Sequence, residues 1–203
     1  MILLCENQTG YHNLVKLVSA GFTEGFYYKP RIDYNLLRQH TEGLICLSAC
    51  LSGDLPKLLL QGRTEDAKKY ALEMQALFGK GNYFVEIMDH GLPEERMVLP
   101  RLKALARETG IPLVATNDCH YLYREDAAAQ EVLMCIQTGK TLQDETRMRM
   151  ETEELYVKSE AEMLSLFADC PQAVHQAGEI AARCQVTFEF GKLHLPRFPH
   201  RNR

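Results

Sequence analysis

These 203 residues predict an α/β fold built from repeating strand–helix units, on three grounds. Short apolar runs at 2–5, 43–49, 83–87 and 111–118 alternate with longer stretches of helical periodicity. Several of the runs are apolar throughout, as strands covered on both faces are. Glycines punctuate the junctions, with Gly43 and Gly53 bounding one run and Gly110 closing the helix before another. The rhythm is that of parallel βα units, in either an open doubly wound sheet or a barrel.

The first run, Ile2-Leu3-Leu4-Cys5, has no turn or cap before it, which points to a missing partner upstream. Leu14, Leu17, Val18, Gly21 and Phe22 then recur at helical spacing, with Thr9 expected as the N-cap. An aromatic and basic loop, Phe26 to Arg31, leads into a short helix over 32–40 that has Asp33 near its start, and 43–49 reads as a buried strand. Two helices follow, 54–61 and 64–78; the second opens on Glu65 and Asp66, acids that favour a helix N-terminus. Tyr83 to Ile87 is the next strand, and 94–109 an amphipathic helix with Leu99, Leu102, Leu105 and Ala106 on one face. The last run ends in Asp118-Cys119-His120. Beyond it lie helices near 124–138, 159–169 and 171–184, with a polar loop over 140–153. The proline-punctuated strap from Phe188 to Pro199 reads as an interdomain linker, so the chain divides into a domain over 1–187 and a linker over 188–203.

Composition narrows the function classes. A net charge of −4 and a pI near 6.0 argue against nucleic-acid binding by bulk electrostatics, so any DNA contact must be local. No apolar run approaches the roughly 20 residues that cross a bilayer, and the N-terminal run is too short for a signal peptide, so no membrane partner and a cytosolic location are expected. The seven cysteines form no CxxC pair and no zinc-finger spacing, and reduced thiols are expected, with Cys46 and Cys135 serving as small hydrophobes.

In an extended strand Asp118 and His120 point to one face and Cys119 to the other, so a carboxylate and an imidazole converge where α/β folds gather ligands. Such a pair suits a divalent metal; a hydrogen-bonded loop anchor is the plainer reading. Cys50, after Leu47-Ser48-Ala49, brings a thiol to a second strand end, as a ligand or as a packed side chain. At a third, Glu86 is either a buried acid or a solvent-facing residue of an edge strand, with Asp89 and His90 following it. Carboxylate, imidazole and thiolate together suit zinc, manganese or iron better than magnesium or calcium, and metal-bound water attacks phosphoesters at neutral pH. Tyr27, Tyr28, Lys29 and Arg31 are candidates for touching a nucleic-acid backbone or a neighbouring domain, or form a plain packed loop. There is no P-loop, GxGxxG, GxSxG or HExxH pattern.

Five segments, read together, resemble one family: Glu6-Asn7-Gln8-Thr9-Gly10-Tyr11-His12-Asn13-Leu14, Phe26 to Asp33, Leu47-Ser48-Ala49-Cys50-Leu51-Ser52-Gly53, Asp89-His90-Gly91-Leu92-Pro93 and Ala115 to Tyr121. It is the PHP (polymerase and histidinol phosphatase) domain of bacterial DNA polymerase III alpha subunits, and the likeness continues through Cys135 to Lys140 and Phe190 to Pro199. The resemblance implies a distorted seven-stranded, TIM-like βα barrel with a metal cluster at the strand ends, joined to a polymerase palm by the strap. It places the family's late ligands on Cys50, Asp118 and His120. The early ligands, a His-x-His pair with further His, Asp and Glu, fall upstream of Glu6, so this chain is expected to be an incomplete barrel lacking its first strands, with extra C-terminal helices. Gln130 stands where the family often has histidine.

The resemblance further implies a part of a replicative DNA-directed DNA polymerase, a metal-dependent 3′–5′ exonuclease when its site is complete. Partial or no occupancy by zinc, manganese or iron and no activity alone are expected, since the polymerase's catalytic aspartates lie in the palm. Its partners are then DNA through the parent polymerase, the other alpha-subunit domains and a separate proofreading subunit. Two alternatives stand beside it, a structural docking module and a free-standing phosphoesterase.

Overall fold

The computed structural model describes residues 1–193 and 195. Four strands, β1 (Ile2–Cys5), β2 (Leu44–Leu47), β3 (Tyr83–Ile87) and β4 (Leu113–Ala115), form one sheet in the order β1-β2-β3-β4. The mixed α/β expectation holds, and β2, β3 and β4 run parallel as the βα rhythm requires.

β1 departs from it. It lies antiparallel to β2, Ile2 opposite Leu47 and Cys5 opposite Leu44. Two helices, α1 (Gln8–Thr23) and α2 (Tyr34–Arg38), connect the two strands. The chain re-enters the sheet at the end it left, where the Glu6 N–H donates to the Gly43 carbonyl at 2.9 Å. α1 begins at Gln8 because the Asn7 side chain, not Thr9, caps it by accepting from the Gly10 N–H. Gly10 itself is required there, since a β-carbon at that position falls 1.8 Å from the Gly43 carbonyl oxygen.

The remaining helices are α3 (Asp54–Leu60), α4 (Thr64–Phe78), α5 (Pro93–Thr109), α6 (Ala127–Thr138), α7 (Glu160–Leu166) and α8 (Pro171–Arg183). Alternation sends Leu44, Cys46, Tyr83, Val85 and Ile87 into the large core with Leu55, Leu59, Met74, Val98 and Leu102 from α3, α4 and α5. Ile45, Leu47, Phe84 and Val114 face the other way and pack with Ile180 of α8. Burial on both faces is what makes these strands apolar throughout. α8 is tied down by Arg183, which donates to Glu6, to the Gly81 carbonyl and to Asn82.

All seven cysteines are free thiols, Cys46 and Cys135 among the buried residues. No helix among the described residues is long and apolar enough to cross a membrane. The strap starts against the body of the domain, with Phe188 edge-on to Tyr11 at 5.1 Å. Its further course, His194 and 196–203 of the expected linker, lies outside the described residues.

Candidate functional site

Parallel pairing of β2, β3 and β4 brings three strand ends to one side of the sheet. Glu86, in β3, is the buried acid of the two alternatives, 4% exposed on a central strand. Its backbone N–H donates to Ser48 Oγ at 2.8 Å. Its carboxylate accepts from the Ala49 N–H at 2.7 Å and from the Thr116 hydroxyl at 2.6 Å. One side chain thus ties the segment leading to Cys50 to the segment leading to Asp118. Burial pushes the Glu86 carboxyl above its usual range, against the Thr116 and Ala49 donors that pull it down, and the Asp118 charge adds to the push. Ala49 and Asp118 also take left-handed backbone, with φ of 68° and 39°. Strain of that kind persists only where the surroundings over-determine it.

A second buried knot lies beside the first. His90 and Glu95 are each 5% exposed. Glu95, in the first turn of α5, meets His90 twice: its Oε1 faces the ring Nδ1 at 2.6 Å and its Oε2 accepts the backbone N–H at 2.6 Å. The ring's Nε2 faces the Asn117 carbonyl at 2.9 Å. Asn117 in turn donates its side-chain amide to the Glu154 and Tyr156 carbonyls, and the Thr152 hydroxyl donates to the His90 carbonyl. Burial pulls the imidazole down, yet the Glu95 carboxylate and the Asn117 carbonyl outweigh it and hold it above the ordinary histidine value. The Glu95 carboxyl, also opposed by burial, sits below its own. Both ring nitrogens are engaged, so His90 is not free to bind a metal, although it follows a strand end.

Asp118 and His120 do not sit in a strand. β4 stops at Ala115, the Thr116 N–H makes the last bond to β3 through the Ile87 carbonyl, and Asn117 is drawn off to the 154–156 segment. The two-residue alternation expected for Asp-x-His therefore does not apply. A left-handed turn at Asp118 brings the pair together instead, with Asp118 Oδ1 3.8 Å from His120 Nε2 and both side chains partly open to solvent.

Cys50 lines a small cavity of about 20 Å³ with Glu86, Glu95, Leu51 and Met88. That is room for a single water molecule. Asp118 and His120 have the donor chemistry of a zinc, manganese or iron site. Among the described residues, however, no group of three or more His, Cys, Asp or Glu side chains is arranged to hold a metal. The structure joins Asp118 to His120 and does not complete a ligand set with Cys50. The residues present thus fit a metal in donor type and not in number.

The loop candidates lie on the surface, Tyr27 63% and Tyr28 83% exposed. Arg31 stacks over the Tyr27 ring at 4.8 Å and donates to the Tyr27 carbonyl, so its charge is partly spent within the loop. Sequence reasoning missed Glu95 and Asn117. The one signal for Glu95 was its place in an acidic first turn opened by Pro93, and that signal reads as a helix start alone.

Residues 1–90 match the PHP domain family. The chain is 52% identical over 186 residues to the DNA polymerase III subunit alpha of Treponema pallidum, a match covering 92% of this chain and 16% of that protein. It is 45% identical to the Deinococcus radiodurans subunit and 43% to that of Thermus aquaticus, in each case over 98% of this chain. The chain spans only 15–17% of the length of these relatives.

Proposed function

We propose that this chain, which matches the PHP domain over residues 1–90 and is similar along its length to DNA polymerase III alpha subunits, serves as the PHP region of a replicative polymerase and acts in DNA replication. The observation that carries the reading is similarity from end to end, 45% identity over 98% of the chain with the Deinococcus subunit. On this reading the four strands are one arc of a larger seven-stranded barrel in a longer polypeptide. Residues 1–187 are its later part and 188–203 lead toward the polymerase domains.

Within the complete domain, Asp118, His120 and Cys50 would hold part of a divalent metal cluster, whose chemistry would be activation of water for phosphodiester hydrolysis. Glu86 orders the two strand-end segments that carry these residues, and the left-handed Asp118 presents its carboxylate beside His120. A docking role is favoured by a separate observation: α6 leaves Leu133 59% and Ile136 72% exposed, and Tyr28 stands out from the 26–31 loop. Other alpha-subunit domains, a proofreading subunit and the DNA backbone near Lys29 are the contacts this reading assigns.

The test compares the 203-residue chain with the full-length polypeptide for metal content, primer extension and 3′–5′ degradation of single-stranded DNA. Primer extension by the full-length protein, with little metal and no degradation by the chain, supports the proposal. Asp118→Ala in the full-length protein should abolish degradation and spare extension; a full-length protein with no degradation to lose assigns the domain to docking. Tight stoichiometric metal in the chain, or release of phosphate from histidinol phosphate by it, overturns the proposal in favour of a free-standing phosphoesterase.

A further inference from the structure

Asp118 holds a left-handed conformation that a residue with a β-carbon adopts only under constraint. Its own side chain does not supply that constraint, being partly exposed and 3.8 Å from His120. The preceding residue does. The Asn117 carbonyl is held by His90 Nε2 at 2.9 Å, and the Asn117 amide by two carbonyls of the 154–156 segment. A carbonyl only accepts, so Nε2 carries a hydrogen. At Nδ1 the ring faces a carboxylate whose second oxygen already accepts the His90 backbone N–H. Whether the hydrogen between Nδ1 and Oε1 sits on the ring or on the carboxyl, the ring is held at Nδ1 by Glu95 and donates from Nε2.

We propose that the buried His90–Glu95 pair is the positioning element of the Asp118–His120 pair: an imidazole ring held at Nδ1 by Glu95 and donating from Nε2 to the Asn117 carbonyl pins the turn that sets Asp118 against His120. The assignment of a role to His90 rests on reading Asp118 and His120 as the functional pair. Its structural content does not: the knot joins the N-terminus of α5, the end of β4 and the 152–156 segment whatever the pair binds.

The test needs no ligand. In the wild-type chain at neutral pH, ring nitrogen NMR should show a bonded proton on Nε2 of His90; an Nε2 without one overturns the proposal without any variant being made. Amide exchange gives the second readout, at the His120 N–H that donates to the Leu155 carbonyl and at the Val85 N–H that donates to the Pro112 carbonyl within the sheet. Glu95→Ala should speed His120 exchange at least tenfold more than Val85 exchange. Glu95→Gln should restore protection, because its amide oxygen accepts the His90 N–H while its NH2 donates to a neutral Nδ1, leaving Nε2–H on Asn117. Equal acceleration at both amides, or no rescue by glutamine, makes the pair a general stabiliser and overturns the proposal. Failure of the functional reading appears elsewhere, as Asp118→Ala leaving DNA degradation intact in the full-length protein.

Discussion

Glu86 offers the sharpest test of how the three strand ends are held. Glutamine keeps both hydrogen bonds: its oxygen accepts the Ala49 N–H, and its amide donates to a Thr116 hydroxyl that turns to accept. Alanine leaves the buried Ala49 N–H and the Thr116 hydroxyl without a partner, each at a cost of about 1–3 kcal/mol. Glu86→Ala is therefore expected to be less stable than Glu86→Gln by roughly 2–6 kcal/mol. The charge acts in the opposite direction. Burial raises the folded carboxyl above its ordinary 4.5, so the folded state keeps its proton longer than the unfolded chain does. Stability falls as pH rises from 4.5 through the folded value and is level beyond it. Glu86→Gln escapes that loss, so its advantage over wild type should be small at acid pH and grow toward neutrality. Urea unfolding of the three proteins from pH 4.5 to 8 measures both effects. Equal stabilities for alanine and glutamine, or a glutamine advantage that does not grow with pH, refutes the reasoning.

The His90–Glu95 pair has its own pH window. A raised imidazole contributes fully below 6.5 and fades as pH climbs through its folded value; a lowered carboxyl contributes fully above 4.5 and fades as pH falls, so the pair stabilises most between the two. Glu95→Ala should cost roughly 3–5 kcal/mol in that window, as removal of one partner of a buried pair does, and measurably less at pH 9 by urea unfolding. Gly10→Ala drives a β-carbon into the Gly43 carbonyl, backbone that no rotamer change can clear, and should cost more than about 3 kcal/mol in the same assay. Asp118→Gly removes the left-handed strain and should raise the thermal midpoint, by up to about 1 kcal/mol of stability; if Asp118 holds metal as proposed, the same change removes 3′–5′ degradation from the full-length polypeptide.

Much of the fold was legible because the strands are bounded by groups that cannot continue them. Tyr83–Ile87 was readable to the residue, flanked by Gly79, Gly81 and Asn82 on one side and a polar turn on the other. Thr64–Phe78 was equally plain, with acids in its first turn and Gly79 after it. β4 was not. Its apolar run spans 111–118, yet the strand occupies three residues: Pro112 offers a carbonyl to Val85 but no N–H, and Asn117 leaves the ladder for the 154–156 carbonyls. The direction of β1 was beyond reach of periodicity altogether. An apolar run records which faces are covered, whereas direction depends on the end at which the chain re-enters the sheet: two helices join β1 to β2 and two join β2 to β3, yet only the second pair is parallel.

The same division runs through the candidate site. Asp118 and His120 were visible as a pair, and the structure does bring them together at 3.8 Å, but by a mechanism that strand alternation does not contain. What sets them is the backbone at Asn117 and Asp118, fixed by a histidine 27 residues earlier and by carbonyls 37 and 39 residues later. Spacing along a chain can nominate side chains for one face of a regular element. It cannot nominate partners that meet through turns, and the groups that hold this turn, His90, Glu95 and Asn117, are ones whose local patterns read only as a residue after a strand, a helix start and part of a strand. For that reason the buried acids between strand ends deserve substitution before the exposed pair: if Glu86 and Glu95 hold the geometry, changing them should alter Asp118 and His120 without touching either.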